Sequence, residues 1–294
     1  MLHRLRRQLR IARAEQLCAA LILAKRVSLS LGRSGGPAAD EGDNASLMHE
    51  MQHAIAGDAL MLAYQPQHDF RRGRIRGAEC LVRWRHPSRG MVSRDLFVPL
   101  AEKTGDIRAL TEWTLRRAIA DQHALGAAGW PLPLSVNISA RLLSDDAFTQ
   151  AALALARDAP HQLCFEITET AKVDNARQAF GNVARFAEHG VRISIDDYGS
   201  EFSSLTYLKR LPAHELKIDK RFVERISRSR RDALMVRATI ELAHELGLEV
   251  VAEGVETPAA FELLASMGCD LAQGYMIARP AALEDLIGIL AEAA

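Results

Sequence analysis

Two adjacent carboxylates, Asp196 and Asp197, end an apolar, alternating run in VRISIDDYG at 191–199. Neighbouring like charges at a strand end facing a cleft repel, and Mg²⁺ or Mn²⁺, hard ions that prefer oxygen, relieve the repulsion. A solvated turn could use the same residues, since Asp favours turns and Gly199 follows closely. Repetition along the chain favours the metal. GAECLVRW carries Glu79, LPLSVNIS brings Asn137 to the end of a second run, and LCFEITET offers Glu166 and Glu169. HELKID supplies Lys217, LEVVAEGVET supplies Glu253 and Glu256, and DLAQGY supplies Gln273. Each polar residue lies near the exit of a strand-like run.

Segments of helical periodicity separate these runs, at about 107–128, 145–158, 174–189, 220–226, 231–247 and 257–267, several of them ended by Gly or Pro. Alternating strand and helix predicts a parallel sheet. With about eight strand candidates, a closed (β/α)₈ barrel is favoured over an open doubly wound sheet. In a barrel the C-terminal ends of all strands share one rim, so carboxylates from Glu79 to Glu253 can meet; an open sheet would scatter several of them.

Of the 294 residues, 48% are hydrophobic and 25% charged, enough for a sizeable core in one catalytic domain with a short extension. Lys plus Arg and Asp plus Glu both number 37, so no bulk attraction to a nucleic acid polymer or an anionic membrane is expected, and any phosphate site must be local. Cys18, Cys80, Cys164 and Cys269 lie far apart without a CxxC pair, which argues against a disulfide framework or a cysteine zinc site and fits a reducing cytoplasm. The ten histidines are read as scattered, with no HxxxH or HExxH pair, giving a zinc hydrolase little support. Trp84, Trp113 and Trp130 are read as packing residues. RSRR at 228–231 is read as the solvated start of a helix.

Residues 1–13 hold five arginines and no acid, and Leu17 to Ala24 is apolar. A signal peptide is not favoured: the apolar run is short, Lys25 and Arg26 follow it, and no small-residue cleavage site is evident. The run is also too short to span a membrane. An N-terminal amphipathic or coiled helix is predicted, then a Gly-rich acidic linker, GRSGGPAADEGDN at 32–44, with the barrel occupying 45–294. The predicted helix could dock on an unidentified regulatory partner, on the membrane surface or on its own barrel, or stay solvated.

YQP at 64–66, ECLVRWRHP at 79–87, VNIS at 136–139, FEITET, IDDYG, LKID at 216–219, AEGVE at 252–256 and QGY at 273–275 together resemble the EAL-domain phosphodiesterases, which hydrolyse bacterial cyclic di-GMP. The resemblance covers roughly residues 47–290 and implies a modified (β/α)₈ barrel with one antiparallel strand, commonly a homodimer, opening the cyclic dinucleotide to linear pGpG. It assigns Glu79, Asn137, Glu166 and Asp196 to one metal ion, with Asp196 shared and Asp197 and Glu253 completing a second site. Two Mg²⁺ or Mn²⁺ held about 3.5 to 4 Å apart would neutralise an anionic phosphodiester, acidify a bridging water and stabilise the leaving oxygen. Lys217 matches the family's catalytic lysine, beside the nucleophilic water. Arg83 is expected on a substrate phosphate, and Gln65 and Gln273 on substrate. Glu169 matches a residue that anchors the loop after Asp197, and Glu256 is expected to be structural, at the dimer interface.

Two positions depart from the family pattern. Cys80 replaces the alanine of the signature triplet, facing away from Glu79, and should be tolerated. After Asp197 the family usually reads DFGTGYS, whereas this chain reads DYGSEFS, placing Glu201 where glycine is preferred. At a positive φ such a residue costs roughly 1 to 2 kcal/mol, and its carboxylate adds negative charge near a phosphate site. Reduced or regulated activity is one implication; a cyclic di-GMP sensor or protein-interaction module on an inactive barrel is the alternative.

Overall fold

The computed structural model describes residues 41–57, 59–168, 175–199, 208 and 210–293. The first element is helix α1 (Glu41–Ala56). Its start corrects the predicted linker: Glu41 to Asn44 are helical, because Leu47, Met48, Met51 and Ala54 recur at helical spacing and bury one face. HEMQH at 49–53 lies on the same helix and is an HExxH pair, which corrects the reading of the histidines as scattered without one. Residues 1–40, Glu169 and Glu201 lie outside the described residues.

The strands are β1 (Leu60–Asp69), β2 (Arg74–His86), β3 (Gly90–Val92), β4 (Leu134–Ile138), β5 (Leu163–Thr168), β6 (Arg192–Tyr198), β7 (Glu215–Ile218), β8 (Glu249–Ala252) and β9 (Leu271–Gln273). From β2 through β4 to β9 neighbouring strands pair parallel in chain order, β1 pairs antiparallel with both β9 and β2, and the β1–β2 pairing closes an eight-stranded ring. The single antiparallel barrel strand is therefore β1; β3 is a short hairpin on β2.

The connecting helices are α2 (Arg94–Thr104), α3 (Ile107–Ala127), α4 (Asp146–Ala156), α5 (Ala176–Glu188), α6 (Lys220–Val223), α7 (Arg230–Glu245) and α8 (Pro258–Ser266), followed by a C-terminal helix α9 (Leu283–Glu292). Six match the periodic segments to within a few residues. Side-chain caps sharpen several starts: Asp145, Asn175, Ser229 and Thr257 each accept a hydrogen bond from the first turn of the helix they precede. Outward-facing strand residues pack on these helices, as in the edge-to-face pairs Trp84–Phe97 and Phe165–Phe186, with ring centroids 5.8 and 5.0 Å apart. Trp84 is buried, and Trp113 and Trp130 pack half-buried against the core, in the packing roles expected of them.

At the N-terminal rim, Glu249 of β8 accepts from Arg76 of β2 at 2.6 and 3.0 Å and from Arg192 of β6 at 2.5 Å. These ion pairs tie non-adjacent strands across the barrel. Among the described residues no helix is long and apolar enough to cross a membrane.

Candidate active site

Lys217, on the inward face of β7, is fully buried, and its ammonium is the hub of the C-terminal rim. Nζ lies 2.7 Å from Glu166 Oε2, 2.7 Å from Glu253 Oε1, 3.2 Å from Glu79 Oε2 and 3.4 Å from Asp196 Oδ1. These four carboxylates come from β5, from the residue after β8, from β2 and from β6. Burial alone would drive a proton off Lys217, but the surrounding negative charge outweighs it and raises the pKa well above that of an ordinary lysine.

The carboxylates divide by their second contacts. Burial pushes Glu79 upward, but Lys217, Arg94 and hydrogen bonds from Asn137 Nδ2 (2.8 Å) and Gln273 Nε2 (2.6 Å) win and hold it at about 2. Glu166 goes the other way, because burial and the neighbouring Glu79 charge outweigh Lys217. Glu253 is pushed up to about 8, chiefly by burial. Asp197 is raised by burial and by Asp196 beside it. It is also the sole non-glycine residue with positive φ among the described residues, at 55°. That left-handed turn, with Asp197 N–H donating to Asp196 Oδ1 at 2.9 Å, lets two consecutive side chains serve one rim where a straight strand would send them to opposite faces.

The donor set fits hard divalent cations. Glu166 Oε1 is buried with no hydrogen-bond partner, an expensive state for a carboxylate oxygen and one that a cation would relieve. One oxygen each from Asp196, Asp197 and Glu253 lie within 4.8 Å of one another. With all five carboxylates ionised against one ammonium, four negative charges remain, the amount two divalent ions neutralise.

Above this cluster opens a cleft of about 770 Å³, lined among others by Gln65, Arg94, Asp197, Glu253, Gln273 and Tyr275. A cavity of about 900 Å³ at the opposite rim, with Arg72, Arg74, Arg76 and Trp130 in its wall, has no carboxylate in its lining. Size therefore does not select the site; donor chemistry does. Gln273 Nε2 also reaches Gln65 Oε1 at 3.2 Å, and Gln67 Nε2 donates to Gln273 Oε1 at 3.1 Å, so the glutamines of β1 and β9 fix one another along the wall.

Arg83 is half-buried near Arg94, donates to the Val82 carbonyl at 3.0 Å and does not line the cleft, whereas Arg94 does. Glu256 is exposed at the cleft wall. Sequence reading passed over Arg94, Arg221 and Tyr275. Arg94 opens α2 immediately after the β2–β3 hairpin, a signal available only once that helix is recognised. Asp219 Oδ2 accepts from Arg221 Nη2 at 2.5 Å, and Tyr275 stacks under Arg279 with the guanidinium carbon 4.1 Å from its ring centre.

Gly274 shows how tightly the rim is built. A Cβ there would lie 2.3 Å from both the backbone N and O of Val255, so no rotamer change relieves the clash. Gly274→Ala is expected to cost about 1 to 3 kcal/mol and to displace the adjacent Gln273. Urea unfolding measures the cost, and an unchanged midpoint would mean that the β8 and β9 exits separate freely.

Residues 48–280 match the family model described as EAL domain. The chain is 39% identical over 245 residues to the cyclic di-GMP phosphodiesterase PA2567 of Pseudomonas aeruginosa, covering 82% of this chain and 42% of that protein. It is 41% identical over 245 residues to the cyclic di-GMP phosphodiesterase NbdA of the same organism, covering 81% and 31%. The chain thus spans less than half the length of these curated relatives. Among solved structures, the PaMucR phosphodiesterase in its c-di-GMP complex superposes with a TM-score of 0.75 at 36% identity, covering 82% of this chain and 99% of that one. The EAL enzyme Bd1971 bound to cAMP and cyclic-di-GMP superposes at 0.78 with 29% identity, covering 84% and 69%. With the family match running from the middle of α1 to beyond β9, the chain belongs to the EAL-domain family.

Proposed function

We propose that this barrel is a cyclic di-GMP phosphodiesterase that opens the cyclic dinucleotide to linear pGpG. The observation that carries the reading is the ring of carboxylates around Lys217, with Glu166 Oε1 buried and unpartnered within it and Glu79, Asp196, Asp197 and Glu253 lining the open cleft. Glu79, Asn137, Glu166 and Asp196 would hold one Mg²⁺ or Mn²⁺, and Asp197 and Glu253, sharing Asp196, a second. The ions supply the positive charge that lets an anionic diester be approached by a nucleophile and that lowers the pKa of a water. One water adds across a P–O3′ bond: its oxygen becomes part of a 5′ phosphate, and the 3′ oxygen leaves as a hydroxyl.

The chain's own residues do the positioning. Lys217, in contact with Glu166 and Glu253, takes the role of donor and fixed charge toward the attacking water. Gln65 and Gln273, already hydrogen-bonded to one another, orient the substrate. Arg94 lines the cleft, with Arg83 behind it, and places guanidinium charge for a phosphate. Cys80 is buried with its thiol pKa raised well above normal by burial, so the departure from the signature triplet adds no reactive group. Action in the cytoplasm as a homodimer, with residues 1–44 docking a regulatory partner, completes the proposal.

The test is chromatographic turnover of cyclic di-GMP by the purified chain in Mg²⁺ or Mn²⁺, with a chelator control. Metal-dependent pGpG is expected. Binding of cyclic di-GMP without turnover would overturn hydrolysis in favour of a sensor, and absence of both would favour a protein-binding barrel. Glu201 supplies a second test of the same site. If its carboxylate is a brake, Glu201→Gly raises turnover or metal affinity, and no change in either removes that role.

A further inference from the structure

HEMQH at 49–53 puts His49 and His53 one turn apart on the exposed side of α1, opposite the stripe of Leu47, Met48, Met51 and Ala54. Their Nε2 atoms are 3.2 Å apart while the ring centres are 4.7 Å apart, so both rings tip those nitrogens toward one point. Two imidazole nitrogens, each about 2.0 to 2.1 Å from a tetrahedral ion, are separated by roughly 3.3 Å. The nitrogens, within hydrogen-bond reach of each other, therefore already stand at chelating separation, and an ion would take the place of the shared proton.

We propose that His49 and His53 form a second metal site, for a borderline transition ion such as Zn²⁺, Cu²⁺ or Ni²⁺, chemically separate from the acidic centre of the barrel. Imidazole pairs select these ions, whereas the all-oxygen cluster at Asp196 selects Mg²⁺ or Mn²⁺. The helical spacing is that of zinc peptidases, but peptidase chemistry is not available here. Glu50, which would be the general base, is hydrogen-bonded to His86 Nε2 and accepts from Ser46 Oγ at 2.9 Å. His86 is fixed in that role because its Nδ1 accepts backbone N–H groups from Ser88 and Arg89 at 3.2 and 3.1 Å. Among the described residues no third His, Cys, Asp or Glu converges on the pair, so water completes the coordination and the ion is exchangeable. Two bonds across one turn brace α1, which packs on α2 and α3, at the point where the chain enters the barrel.

The test uses the 294-residue chain without a tag, stripped of metal and then kept in excess Mg²⁺ to occupy the acidic centre. Cu²⁺ titration followed by electron paramagnetic resonance is expected to give one site with coupling to imidazole nitrogen, and Zn²⁺ is expected to raise the thermal midpoint. Both effects should vanish in His49→Ala/His53→Ala, while Mn²⁺ binding to the barrel stays at the parent level. His53→Gln, which preserves helix propensity, should weaken Cu²⁺ binding without changing the circular dichroism. Equal Cu²⁺ and Zn²⁺ responses in the parent and the double variant would overturn the proposal.

Discussion

Lys217→Met lowers the thermal midpoint of the metal-free barrel by about 10 °C and cuts turnover by at least about 10²-fold. The side chain is wholly buried, and methionine keeps most of its volume, so the loss is one of charge and not of packing. Removing one partner from a buried ionic cluster costs about 3 to 5 kcal/mol, because the charges left behind have neither water nor counter-ion. Part of that cost is met by protons: Glu166 is already raised and Glu253 stands at about 8, so both can neutralise near pH 7. Glu79 loses the Lys217 charge that chiefly lowers its pKa, and keeps the Arg94 charge and the hydrogen bonds from Asn137 and Gln273. Saturating Mg²⁺ should recover more of the midpoint in the variant than in the parent, since the ion then replaces the missing positive charge. Calorimetric melts with chelator and with Mg²⁺ read both effects; equal midpoints for variant and parent in chelator would show that Lys217 is not the hub the geometry makes it.

The barrel was legible because its signals are local. Asp196, Glu253 and Gln273 each sit at the end of a short apolar run, and the capping residues Asp145, Asn175, Ser229 and Thr257 mark helix starts within a residue or two. That β1 is the antiparallel strand came from the family resemblance, since pairing direction leaves no trace in an alternating pattern. Glu41 to Asn44 read as linker because Gly, Asp and Asn favour turns, yet the buried stripe from Leu47 onward carries them into α1. Lys217 was expected beside a nucleophilic water, but its contact with four carboxylates could not be read from any window of sequence, because those residues are separated by up to 174 positions from Glu79 to Glu253 and meet only when the ring closes. Arg94 was missed for a related reason. Its helix follows a three-residue strand, too short to register as an alternating run.

Asp196→Asn is the complementary perturbation and should move metal-free stability the opposite way. It removes one carboxylate from a cluster in which five crowd around one ammonium. The amide keeps the side-chain volume and retains an Oδ1 able to accept from the Asp197 N–H at 2.9 Å. Lys217 loses only its longest carboxylate contact, at 3.4 Å. In chelator the variant should therefore melt at or above the parent midpoint. Metal-dependent turnover should fall by at least about 10²- to 10³-fold, because the carboxylate proposed to serve both ions has become neutral. Asp197→Asn makes the sharper comparison: asparagine tolerates the positive φ of 55°, so the backbone turn survives, and only the second proposed site loses a ligand. If Asp196 is shared, its variant loses more Mn²⁺ affinity than the Asp197 variant does. If the two lose affinity equally, each carboxylate serves one ion and the shared assignment fails, while a fall in metal-free stability on Asp196→Asn would place the residue in the fold instead of the chemistry.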